Sequence, residues 1–219
     1  LLTGERSSFI KAFLSSLLFF LLIYKFSIKK IITITTLFII VFITAVNFST
    51  FLKLRYYEQF KIMFFKDNKL NLENNTYFMV YNSGYLVFKE NKIFGVGAKN
   101  YGKYASQRNS ELRAKSPLDH SFIPTTHPHQ IYLEFLSEHG IFGTLIILSL
   151  FIFIFFKMLK IIILSRNYIQ IACFCYLISN FIPILPSGSF FSDFSSNLFW
   201  INFSVFFAIS DKTNIFKIK

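Results

Sequence analysis

The chain is expected to be an all-α, polytopic membrane protein, and three observations point that way. Of its 219 residues, 53% are hydrophobic and 20% aromatic, only 16% are charged, and the mean hydropathy is +0.50. That lies outside the balance of soluble domains, where about a quarter of residues are charged. The apolar residues gather into five runs, at residues 8–28, 31–51, 140–156, 168–185 and 191–209, each about long enough for a helix to cross a bilayer. The basic residues fall in the connections between these runs.

Taken in order, a short polar entry holding Glu5 and Arg6 leads into the first run. Lys11 stands near its outer end, where its ammonium can reach back to the interface. Lys25, Lys29 and Lys30 crowd the connection to the second run. Short lysine-rich connections lie on the cytoplasmic side. Residues 52–139 then form one large external loop ending in a helix; residues 52–128 hold twelve Lys or Arg and six Asp or Glu. Segments of that length cross the membrane whatever their charge. Lys157, Lys160 and Arg166 follow the third run, and Lys212, Lys217 and Lys219 follow the fifth. All three basic connections therefore share the inner side. Arg6, the long loop and residues 187–193 share the outer one.

Several function classes recede at this point. Cys173 and Cys175 stand two apart in an apolar run, and no Cys/His cluster has metal-ligand spacing, so neither a disulfide framework, a metal nor a cofactor is expected. The net charge of +12 resides in the loops. A bilayer or an anionic lipid substrate accounts for it better than nucleic acid. The chain opens at Leu1 with no basic n-region or cleavage site. It is read as the C-terminal part of a protein whose N-terminal half is missing.

The titratable groups concentrate in His127-Pro128-His129-Gln130, directly before the third run. If residues 129–143 are one helix, the 3.6-residue period sets His129, Leu133, Leu136, Gly140 and Gly143 on one side. Gly140 and Gly143 would let another helix pack closely, while Glu134 and Glu138 would point away from that face as solvated or helix-orienting residues. An imidazole titrates near neutral pH and suits a general base. Asn180 and Asp193 are polar candidates near the membrane with no named partner.

These residues resemble the O-antigen ligase family, which includes the related O-antigen polymerases. The family's hallmark is His, then Asn, Ser or Gln, nine residues, Gly, two residues, and Gly, Thr or Tyr; His129-Gln130, Gly140 and Gly143 fit it without a gap. Asn91-Lys92-Ile93-Phe94-Gly95-Val96-Gly97 is similar to the loop that precedes this motif. Thr3-Gly4-Glu5-Arg6 looks like the family's external Arg element, and Pro186-Ser187-Gly188-Ser189-Phe190-Phe191 also resembles a family segment, less specifically. Where many members carry a second loop Arg after a small pair like Ser83-Gly84, this chain has Tyr85.

The resemblance implies a fold like that of the GT-C glycosyltransferases and an active site facing the periplasm from the bacterial inner membrane. It implies transfer of a polysaccharide from undecaprenyl diphosphate to lipid A core, or to another glycan chain in a polymerase. His129 would be catalytic, with His127 and Gln130 supporting it from behind; His127 is equally open to simple turn chemistry before Pro128. Arg6 would bind the diphosphate. The second clamp is left to Arg55, Lys99, Arg108 or Arg113, with Arg55 placed first for its position beside a membrane exit. A lipid-linked-sugar transporter and a scaffold protein stay open as other classes, although neither requires the histidine-glycine spacing.

Overall fold

The computed structural model describes residues 6–24, 27–66, 69–70, 75–115 and 122–209. Thr3-Gly4-Glu5, Lys25, Lys212, Lys217 and Lys219, all used in the sequence reading, lie outside the described residues. The chain divides into two compact units, Leu1–Asn75 and Thr76–Lys219.

The first unit is a helical hairpin with a short extension. Helices α1 (Arg6–Ile23) and α2 (Ile28–Phe48) are both long and apolar enough to cross a membrane, and neither has a buried residue. They meet through rings: Phe13 stacks on Phe38 with centroids 3.9 Å apart, and Phe9 on Phe42 at 5.6 Å. Three polar residues of α2 turn inward on their own backbone. Thr33, Thr44 and Asn47 donate to the carbonyls of Lys29, Ile40 and Ile43, four residues back, which spares a polar group from facing hydrocarbon unpaired. Ser49 is extended and ends α2; its hydroxyl caps the short α3 (Thr50–Leu52), and a π-helical turn, Lys53–Glu58, leads into α4 (Gln59–Phe64). A minimal hairpin pairs Phe65–Lys66 with Lys69–Leu70.

The second unit holds α5 (Thr76–Glu90), α6 (Tyr101–Lys115), α7 (Ile131–Ser165), α8 (Tyr168–Ser179) and α9 (Asp193–Ala208). Much of the long polar segment is thus helical. A third membrane-length apolar helix, α7, is sharply bent: Gly140 has φ 63° and ψ −172°. The rings of Phe135 and Phe151 lie 5.4 and 6.0 Å from that of Phe190, whereas a straight helix would separate these positions by ~24 Å along its axis. Residues 131–139 therefore fold back as a separate nine-residue arm.

The fourth apolar run does not stay helical. Helix α8 has 12 residues, about 18 Å at 1.5 Å per residue, against ~30 Å of hydrocarbon. Its apolar continuation, residues 180–185, leaves the helix and packs by its rings. Phe181 lies 5.0 Å from Phe151 and 5.3 Å from Phe155. Asn180, Phe181 and Ile182 are half-buried, while Pro183 and Ile184 are exposed. At the other end, buried Gln170 donates to the Phe206 carbonyl and accepts from the Ser165 hydroxyl, tying α7, α8 and α9 together.

The protein is an all-α membrane protein. If the short basic connections share the inner face, a thiol introduced by Lys160→Cys should resist an impermeant external maleimide while one introduced by Lys99→Cys reacts. Equal labelling of both from one side would exclude that topology.

Candidate active site

The histidine loop is seated from three sides. Pro128 is fully buried against Gly84 of α5, where an added Cβ would lie 2.6 Å from the Pro128 Cβ. Its neighbour Ser83 accepts the Ile123 N–H at 2.9 Å and donates to the Met79 carbonyl. The small pair singled out in the sequence is therefore the notch that receives the loop. Below it, Val87, Tyr101, Ala105 and Phe122 form a buried apolar cluster that fastens the start of the loop to α5 and α6. Thr125 donates to the His127 carbonyl at 2.7 Å, closing a tight turn.

His129 has φ 52°, a left-handed backbone uncommon for a side chain other than glycine, asparagine or aspartate. Two neighbours hold it there. Its carbonyl accepts the Ser187 N–H at 2.9 Å, and Gln130, next in the chain, caps α7 by accepting the Leu133 N–H at 2.8 Å. Gln130 is buried and committed to this cap. The rings of His127 and His129 lie 4.1 Å apart at 49°, and His127 Nδ1 is 3.2 Å from the Thr126 hydroxyl. Burial pushes both imidazoles below their ordinary pKa; for His127 the neighbouring His129 adds to this and the Ser187 main chain opposes it. The pair favours the neutral, proton-accepting form.

The bend at Gly140 is filled by the loop after α5. In an unbroken helix, Ile141 and Phe142 would donate to the carbonyls of Ser137 and Glu138. Here they donate instead to Lys92 and Ile93, at 2.8 and 3.3 Å, while the Ser137 and Glu138 carbonyls accept from Val96 and Gly97, at 2.9 and 2.8 Å. The approach leaves no room for side chains: a Cβ on Gly140 would lie 2.2 Å from the Ile93 oxygen, and one on Gly95 2.4 Å from the Glu138 carbonyl carbon. The expected continuous helix over 129–143 is thus corrected. It starts at Ile131, breaks at Gly140, and is met there by a loop rather than by another helix. Gly143 faces its own helix, its missing Cβ 2.7 Å from that of His139.

Glu134 and Glu138 are also corrected. They are 2% and 3% exposed, not solvated. Glu134 accepts from the Ser189 hydroxyl and from the Phe190 N–H at 2.8 Å; Glu138 accepts the Lys99 N–H at 2.8 Å. One helical turn apart, the two carboxylates grip loops from opposite ends of the unit. Their burial follows from the fold-back, which turns both faces of the arm toward protein. Two carboxylates at helical spacing beside a long apolar run were the signal for such a role. Two phenols complete the clamp on the irregular segment: Tyr132 donates to the Phe181 carbonyl at 2.6 Å, and Tyr81 to that of Ile184 at 3.1 Å. Burial raises the Tyr81 pKa to about 12, so it stays a donor.

The cationic candidates separate. Arg6, the first residue of α1, and Arg55, whose guanidinium donates to the Gln59 amide oxygen at 2.9 Å, belong to the first unit. His127, His129, Gln130, Gly140 and Gly143 belong to the second. Arg108 is paired with Glu90 at 2.7 Å and Glu111 at 3.6 Å, and Lys99 with Asp193 at 3.5 Å. Arg113 is exposed. Asn180 bonds back to the Tyr176 carbonyl as a helix-end residue.

A family model described as O-antigen ligase matches residues 1–148. The chain belongs to the O-antigen ligase family. No curated protein matches it. The family match runs from the entry to α1 through the histidine loop and the bend, and ends within α7. Membership makes this a multi-pass membrane protein of the ligase and polymerase glycosyltransferase type. The clamp from Ser187, Ser189 and Phe190 lies beyond the matched residues, and its hydrogen bonds are read from the structure.

The steric reading of the bend can be checked directly. Gly140→Ala should destabilise the purified protein by about 2 kcal/mol or more, since it adds both a clash and a strained φ, and lower its melting temperature. Gly188→Ala, whose Cβ would meet nothing nearer than 3.9 Å, should leave it unchanged. Equal melting temperatures for Gly140→Ala and wild type would refute the docking.

Proposed function

We propose that this member of the O-antigen ligase family transfers a polysaccharide from undecaprenyl diphosphate to lipid A core at the periplasmic face of the inner membrane, with His129 as general base. The observation that supports this reading most is the histidine pair: two half-buried imidazoles 4.1 Å apart, both held toward the neutral form, in a loop braced by three separate segments. A base must be unprotonated and rigidly aimed, and this arrangement serves both needs.

In the proposed step, an acceptor sugar hydroxyl gives its proton to a ring nitrogen of His129 as its oxygen bonds to the anomeric carbon of the donor. The bond from that carbon to the diphosphate oxygen breaks, and its electron pair leaves with the diphosphate. The growing negative charge calls for guanidinium donors, which bind phosphate in a two-pronged geometry and stay charged at all working pH values. Arg6 and Arg55 are assigned to this task, Arg6 on its match to the family's external element. Once His129 takes up the proton, its charge disfavours protonation of His127 beside it, so the proton stays on one ring of the pair.

His129→Ala should lower single-turnover transfer by ~10²–10⁴-fold while donor binding persists, and His127→Ala should lower it clearly less. Because burial lowers the His129 pKa, the wild-type rate should hold to a more acidic pH than a free imidazole would allow, then fall as the ring protonates. A rate that rises toward acid pH would reject the base role, and full activity of His129→Gln would reject proton transfer at this position.

Arg6→Lys keeps the charge and loses the two-pronged contact, so turnover should drop about tenfold or more. Unchanged kinetics for Arg6→Ala would remove it from the diphosphate site.

A further inference from the structure

The turn Lys92-Ile93-Phe94 joins α5 to the segment that fills the bend, and it presents two large apolar side chains outward. Ile93 is 61% and Phe94 72% exposed. In the sequence they are an isolated pair within a polar stretch and carry no membrane signal. The turn's backbone, however, is bonded to the first residues of the membrane-length part of α7: the Lys92 and Ile93 carbonyls accept the N–H groups of Ile141 and Phe142. The Phe94 ring lies 6.3 Å from that of Phe142, which is itself 60% exposed, and the exposed apolar surface continues down α7 through Leu145 and Ile146.

The depth of this turn follows from the charges on α7. The first cation after Gly140 is Lys157, 157 − 141 = 16 residues beyond Ile141. That is ~24 Å along the helix, less than the ~30 Å of a hydrocarbon core. With Lys157 at the inner boundary, Ile141 and Phe142 sit inside the outer boundary, and whatever is bonded beside them sits there too. Lys89, three residues before the turn, and Lys92 at its start are exposed, as cations that reach back to head-group phosphates would be.

We infer that the turn at residues 92–94 is inserted into the outer leaflet of the bilayer, with Ile93 and Phe94 packed against lipid acyl chains. The loop is then anchored to the membrane by its tip and to α7 by its backbone. This stands on the spanning role of α7 and not on the chemistry proposed for His129.

The test is collision accessibility of a nitroxide label on Phe94→Cys in the full-length protein, reconstituted in vesicles of phosphatidylethanolamine and phosphatidylglycerol. Oxygen, which concentrates in hydrocarbon, and a water-soluble nickel chelate serve as the two relaxing agents. Lys103→Cys, exposed on α6, is the aqueous reference, and Ile152→Cys, exposed on α7, is the lipid reference. Ile93→Cys gives an independent reading of the turn. Oxygen should dominate at positions 93 and 94, with an oxygen-to-chelate ratio several-fold above that at 103. A ratio equal to that at 103 would place the turn in water, and low accessibility to both agents would place protein over it; either result overturns insertion.

Discussion

A helix that opens at a membrane boundary exposes carbonyls and amides that cannot be left unpaired, and the second unit is arranged around meeting that requirement at Gly140. Two helical hydrogen bonds are given up, those that Ile141 and Phe142 would have made to Ser137 and Glu138. Four bonds to residues 92–97 replace them, each partner in the broken helix finding one on the loop. The exchange works only because Gly140 and Gly95 carry no side chain where the two backbones meet. Once the loop is seated, the arm of residues 131–139 has a fixed direction, and so has the histidine loop at its N-terminal end.

The carboxylates show why the arm is a hub rather than a simple lead-in to the span. A buried carboxylate is costly unless its oxygens accept hydrogen bonds, and Glu134 and Glu138 accept theirs largely from backbone N–H groups of distant segments, Phe190 and Lys99. Each therefore converts its own need for partners into a long-range constraint. Ser187 extends the constraint to the His129 carbonyl, and rings from α7, α9 and the irregular segment close over the arm at Phe190. The left-handed backbone of His129 is over-determined from both sides, which is how a strained residue persists at a functional position.

Much of this was legible in the residues, in proportion to how local the signal was. Hydropathy located α1, α2 and α7 because membrane-length apolar runs admit few other structures. The His129, Gly140 and Gly143 spacing and the glycine-bearing stretch before it were both picked out, but as separate motifs; that they are two halves of one backbone exchange required the fold. The reading of Gly140 went wrong on one alternative. A missing side chain allows either close helix packing or a positive φ, and composition does not choose between them. That error propagated to Glu134 and Glu138, since a helical wheel drawn through an unbroken helix sends them to solvent. Hydropathy also passed over the end of α8, because Phe181 and Ile182 are as apolar outside a helix as within one.

The loop of residues 91–99 is an integral part of the opened helix and thereby holds His129 in place. Residue-resolved amide hydrogen exchange on the membrane-embedded protein reports on this seating at Val96, Gly97 and Lys99, which have no helix of their own to protect them. These three amides should exchange as slowly as amides within α5. Exchange at the rate of an open loop would mean that the bend is closed by something other than this segment.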